Sequence, residues 1–194
     1  MSKTLTGLVR FSYVHVFEPQ ASEEGKEPKY SVSIIIPKSD TATIAALNAA
    51  ITQALNDAKS KFPGGKIPTD FWNPLRDGDM DRPDDEVYQN SMFISARSNR
   101  KPGVVDGNLL PIIDRRGGEA AADFEGDVST EELYSGCYGR ASLIFYGYNN
   151  KSKGVGCALS NLQKLQDGDR LGGGDATKDA INDFGAAAGA DDMM

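Results

Sequence analysis

Apolar and polar positions alternate along several stretches of this chain, and that period of two predicts a mostly β protein. Residues 5–17, rich in β-branched and aromatic side chains, predict one long strand with His15 on the same face as Val9, Phe11 and Tyr13. Residues 18–28 are polar, carry Gly25 and two prolines, and read as a loop. From Lys29 to Ile36 the alternation is strict. Tyr30, Val32, Ile34 and Ile36 face one way, Lys29, Ser31 and Ser33 the other, and Pro37 ends the strand. These first two strands are expected to pair antiparallel. The period then changes. Ser39 or Asp40 caps a helix running to about Phe62, with Ile44, Leu47, Ile51, Leu55 and Ala58 forming one apolar stripe and Pro63-Gly64-Gly65 stopping it.

Further on, residues 63–90 look irregular and residues 90–98 predict a third strand. Residues 104–113 predict a fourth, interrupted at Asp106-Gly107-Asn108. Residues 136–148 predict a long fifth, which turns near Lys151 and returns as a sixth over residues 154–159. Leu159, Leu162 and Leu165 recur at spacing three and suggest a short closing helix. The last twenty residues are mostly Ala, Gly and Asp, with too little apolar surface to offset ordering entropy. The expected organisation is a domain over residues 1–171 and a flexible acidic tail over 172–194. Several strands, one helix and no βαβ rhythm predict an all-β-dominated fold, an OB-like antiparallel β-barrel with one sizeable α-helix.

The fifth strand carries the clearest candidate chemistry. Its odd positions, Cys137 to Gly147, are small or apolar and suit a tight interior. Its even positions present Tyr138, Arg140, Tyr146 and Tyr148 on the opposite face. Aromatic rings in line with a cation suit unpaired bases, because every base has a π-face. The same face would also suit packing beneath a helix. Basic clusters recur at strand ends: Arg97, Arg100 and Lys101 after the third strand, Arg115 and Arg116, and Lys151 and Lys153 at the hairpin turn. Phe93 shares the polar face of the third strand with Ser95 and Arg97, and Trp72 suits either packing or base stacking. Together these residues outline a groove that tracks a single strand.

A net charge of −7 at first opposes binding of a polyanion. Its distribution changes the picture. Residues 76–86 carry −4, residues 114–132 carry −5 and the last twenty residues carry −4, which leaves +6 on the remainder. Local field rather than the total governs such binding. No apolar run is long enough to span a membrane and no signal peptide opens the chain, so a cytoplasmic location is expected. Pairing about the turn sets Cys157 opposite Phe145 rather than Cys137, which disfavours a disulfide. One histidine and two separated cysteines make no zinc site, and nucleophilic catalysis would rest on His15 alone. No cofactor and no metal are expected.

Asp77, Asp79 and Asp81 have the opening spacing of an EF-hand loop. Arg82, however, stands where such a loop needs Gly, and Tyr88 where it needs the bidentate Glu. A metal-dependent nuclease using these three carboxylates is the enzymatic alternative. A structural protein, of virion or scaffold type, is the other. The terminal Asp191, Asp192, Met193 and Met194 join acid to an apolar end, which suits docking on a partner protein or folding back on a cationic groove.

Five blocks, in order across about residues 5–174, carry a family resemblance: KYSVSIIIPK, PLRDGD, ARSNRKPGVVD, YSGCYGRASLIFYGYN and KGVGCALSNLQKLQDGDRLGG. Together they resemble the phage single-stranded-DNA-binding proteins formerly catalogued as a domain of unknown function. The resemblance implies an OB fold and sequence-tolerant, non-enzymatic binding of single-stranded DNA. It also implies a role in phage replication, recombination or repair, and an acidic tail that contacts other replication proteins. The tail here departs from that pattern: it ends in Met194, with Phe184 upstream, rather than in an aromatic residue. A homo-oligomer is compatible with the sequence.

Overall fold

The computed structural model describes residues 3–21, 24–114 and 126–172. Arg115, Arg116 and the tail residues Asp191, Asp192, Met193 and Met194 lie outside the described residues. In chain order the elements are β1 (Lys3–Leu5), β2 (Val9–Gln20), β3 (Lys29–Pro37), α1 (Thr41–Asp57), β4 (Leu75–Asp77) and the helical turn α2 (Gly78–Asp81). Then follow β5 (Ser91–Ser98), β6 (Gly103–Val105), β7 (Tyr138–Asn149) and β8 (Lys153–Gln166).

Five of these strands form a ring. β2 pairs with β3, β3 with β5, β5 meets β8, β8 pairs with β7 along its length, and β7 returns to β2. Five is odd, so strand direction cannot alternate all the way round, and one junction has to be parallel. That junction is β5–β8, joined in register at Arg97 and Ala158. The expected OB-like, mainly antiparallel arrangement is thus a ring with one parallel junction, its slightest seam at β5–β8. β6 adds a second parallel contact to β8. The pairing order is that of the five-stranded, partly open OB fold.

Inward side chains fill the ring. Val9, Phe11, Val16, Val32, Ile34, Ile36, Ile94, Leu143, Val155 and Leu162 are all buried. Each such burial contributes about 1.5–3 kcal/mol. On β7 the odd residues point in and the even ones lean out, as the alternation predicts. Phe145 faces Cys157 across the hairpin, and both cysteines are free.

Helix α1 buries Leu47, Ile51, Ala54 and Leu55. Asp40 is its cap, accepting from the Thr43 N–H at 3.0 Å. Such a cap contributes about 1 kcal/mol. The helix ends at Asp57, before the expected Phe62, because Lys59–Lys61 and Pro63–Gly65 tighten into 3-10 turns. It packs against β7 at Gly147, where a Cβ would lie 2.4 Å from Ala58 Cβ and 2.9 Å from the Ala54 carbonyl. The helix thus meets the inward face of β7, not its tyrosine face.

Three sequence expectations change. The long first strand breaks at Thr6-Gly7-Leu8, where the Gly7 N–H donates to Thr43 Oγ at the start of α1. A register shift between Ser12 and His15 then reverses which parity faces inward: Val9 and Phe11 are buried before it and Val16 after it. Tyr13, within that shift, has φ 47° and is turned out to solvent, and so does not share the face of Val9 and Phe11. The closing helix is absent, and β8 runs on to Gln166. A second shift, where Leu143 faces Leu159 but Ser142 faces Asn161, places both Leu159 and Leu162 inward. A spacing of three is thereby a strand with one extra residue rather than a helical turn. The fourth strand is a tight hairpin: Asp106 Oδ1 accepts from the Asn108 and Leu110 N–H groups, and the Ile112 N–H donates back to the Val104 carbonyl.

Candidate functional site

The β5–β8 seam opens into a groove of about 810 Å³. β5 supplies Phe93, Ser95 and Arg97 from its outward face, and Arg100 follows the strand end. β8 supplies Gly156 and Ala158, β7 supplies Tyr146 and Tyr148, and the segment before and within β4 supplies Trp72 and Arg76. Lys29 and Arg82 complete the cationic lining, which counts five Lys and Arg against one carboxylate, Asp81. Among the described residues Arg97 and Arg100 have no carboxylate partner. Their positive charge is therefore open to a ligand.

Trp72 is stitched to the rim by backbone. Its N–H donates to the Lys153 carbonyl at 2.9 Å and its carbonyl accepts from the Val155 N–H at 3.0 Å. The residue is 54% exposed, with the Arg76 guanidinium 4.5 Å from its ring centroid. Tyr146 is 43% exposed and lies across Gly156, where a Cβ would fall 2.4 Å from its Cζ. Only glycine lets that ring lie flat at the groove floor. Phe93 also lines the groove but is 8% exposed, held edge-on by Tyr88 at 5.1 Å. It builds the wall rather than offering an open platform.

Of the residues singled out in the sequence, Trp72, Phe93, Arg97, Arg100, Tyr146 and Tyr148 meet here. Five do not. Tyr138 stands at the opposite end of β7 with Arg10 over its ring at 5.4 Å. Arg140 is exposed on the same distant stretch, opposite Gln163. Lys101 borders a separate cleft with Phe17, Val104 and Ile112. Lys151 is exposed on the hairpin turn. Lys153 pairs with Asp70 at 2.8 Å, and that contact holds the Asp70 carboxyl below its usual range. For Tyr138 and Arg140 the reason is length: a twelve-residue strand extends well past a groove at one of its ends.

Arg76 and Arg82 escaped the sequence reading because they sit inside the acidic loop and were summed with it. Four acids of that loop have cationic partners, Asp85 facing Arg82 at 3.9 Å. Asp77 and Asp79 converge on Lys38 Nζ, at 2.8 and 2.6 Å, which raises the lysine pKa and lowers that of Asp79. Asp81 pairs with Arg76. The three carboxylates proposed for a nuclease are thus divided between two cations. His15 lies outside the groove, and partial burial pulls its imidazole pKa below the ordinary value. No helix among the described residues is long and apolar enough to cross a membrane.

A family model described as the ssDNA-binding protein of Enterobacter phage Enc34 matches residues 2–194. The putative protein p50 of Acyrthosiphon pisum secondary endosymbiont phage 1 is 33% identical over 186 residues, covering 92% of each chain. The single-stranded DNA-binding protein from bacteriophage Enc34, solved in complex with ssDNA, aligns at TM-score 0.68 and 26% identity over 88% of this chain and 89% of that one. The single-stranded DNA-binding protein gp2.5 of bacteriophage T7 shares the fold, at TM-score 0.55 and 14% identity over 97% and 99% of the two chains.

Proposed function

The chain belongs to the ssDNA-binding family of the Enterobacter phage Enc34 protein, and from that membership we propose that it binds single-stranded DNA, with little regard to sequence, along the β5–β8 groove. The observation that carries this reading is the meeting of the open rings of Trp72 and Tyr146 with the uncompensated Arg97 and Arg100 in one channel. Bases stack on the rings, and the guanidinium groups neutralise phosphates; stacking contributes about 1–3 kcal/mol per base. The family is a binding family, and the chain acts by occupying the strand rather than by cutting it. Its setting is phage DNA replication, recombination or repair in the cytoplasm of the host cell, with the acidic end of the chain available to other proteins of that process.

Trp72 is the only tryptophan in the chain, which makes the reading directly observable. Oligothymidylate binding is expected to quench its emission saturably. Binding detected by anisotropy with no change in tryptophan emission would place the DNA elsewhere on the molecule.

A further inference from the structure

The groove does not end at Phe93. Arg82 spans from it to a second ring: its guanidinium carbon is 5.2 Å from the Phe93 centroid, 4.3 Å from Tyr88 and 5.4 Å from Tyr13. A pocket of about 170 Å³ adjoins there, lined by Tyr13, Ser31, Ser33, Arg82, Ser95 and Arg97. Arg82, Ser95 and Arg97 belong to both this pocket and the groove, so the two are continuous. Between Arg97 on β5 and Tyr13 on β2 the floor is serine, short enough for a chain to pass close over the sheet.

Tyr13 is unusual in two ways. Its φ of 47° is a backbone state that a bulky residue adopts at a cost of about 1–3 kcal/mol. The residue is nevertheless 54% exposed, so packing does little to recover that cost. The bulge at Ser12–His15 produces both features, and bulges recur where a side chain has to be re-aimed. The geometry points to Tyr13 as a second stacking platform for single-stranded DNA, reached when the strand leaves the groove over Ser95, Ser31 and Ser33. This inference rests on the groove being the binding site. Crossing from β8 over β5 and β3 to β2 spans three strand spacings, about 14 Å. A short oligonucleotide can fill the groove without reaching Tyr13; a longer one engages both.

The test is the affinity of oligothymidylates of about four to sixteen nucleotides, the span that OB folds accommodate, for the full chain and its Tyr13→Asn and Tyr13→Phe variants. Asn tolerates positive φ, so Tyr13→Asn removes the ring while the melting temperature is kept. It is expected to weaken binding of the longest oligomers about five- to one-hundred-fold, from the usual worth of one stacked base, and to leave the shortest unchanged. Tyr13→Phe keeps wild-type affinity at all lengths. Equal affinity of Tyr13→Asn and wild type at every length, while the unmodified chain binds normally, overturns this inference and leaves the groove standing. A loss that is the same at all lengths, or as large in Tyr13→Phe, overturns it as well. Failure of the unmodified chain to bind any length overturns the groove reading and this one with it. Photocrosslinking of iodouracil-substituted oligomers to the unmodified chain gives a readout independent of folding: Tyr13 is labelled by long oligomers, and its absence among the labelled residues counts against the second platform.

Discussion

Tyr138 and Tyr146 lie eight residues apart on the same face of β7, yet Tyr146 lines the groove and Tyr138 stands at the far end of the strand beside Arg10. Eight residues of strand span about 26 Å, so a shared face is not a shared site. The residue scale therefore separates candidates that alternation alone treats alike. Replacing Tyr146 by Ala removes an open ring and is expected to weaken oligothymidylate binding about five- to one-hundred-fold, with little change in melting temperature. Arg140→Ala, from the distant end of the same face, is expected to leave affinity within about twofold, since one surface change away from the groove alters little. Side-by-side anisotropy titrations check both. Arg76 and Arg82 teach the complementary lesson. Summing charge over a loop hides where each side chain points: Asp77 and Asp79 fold onto Lys38, while Arg76, paired with Asp81, and Arg82, 3.9 Å from Asp85, line the groove.

At the scale of elements, strict alternation was a sound guide wherever strands were regular. β3, β5 and β7 lie within a residue or two of where period two puts them, and the β7–β8 register pairs Phe145 with Cys157. Sequence reasoning went astray at bulges. One extra residue in β2 turned Tyr13 outward, and one in β8 gave leucines the spacing of a helix. Neither carries a glycine or proline that would announce it, so the pairing partner has to be known first. The α1–β7 contact was legible in part: the apolar stripe gave the helix, but nothing local showed that Gly147 is the seat it packs on. Gly147→Ala sets a methyl against Ala58 and the Ala54 carbonyl. Overpacking of this kind costs about 1–3 kcal/mol, to be read as a lowered midpoint in thermal or urea unfolding while groove affinity at low temperature is kept.

For the whole molecule, the partly open ring of five strands explains how a protein of net charge −7 can hold a polyanion. Its odd strand number forces one parallel junction, that junction opens into the groove, and the groove concentrates five cations around a single carboxylate. Most of the negative charge lies elsewhere in the sequence, and residues 175–194 alone contribute −4. We expect a chain lacking those residues to bind single-stranded DNA more tightly at low salt, with the difference shrinking as salt screens the competing charge. Affinity that is unchanged or weaker on truncation would remove self-competition from the picture.

The most direct test of the groove is the salt dependence of oligothymidylate affinity beside that of a duplex of equal length. Each phosphate neutralised on a single strand adds about 0.7 to the negative log–log slope, so four or five contacts by the groove cations predict a slope of roughly −3. The duplex, whose bases cannot reach the rings, is expected to bind far more weakly under the same conditions. A slope near zero, or a duplex held as tightly as the single strand, would contradict a channel built from unpaired-base stacking and phosphate neutralisation.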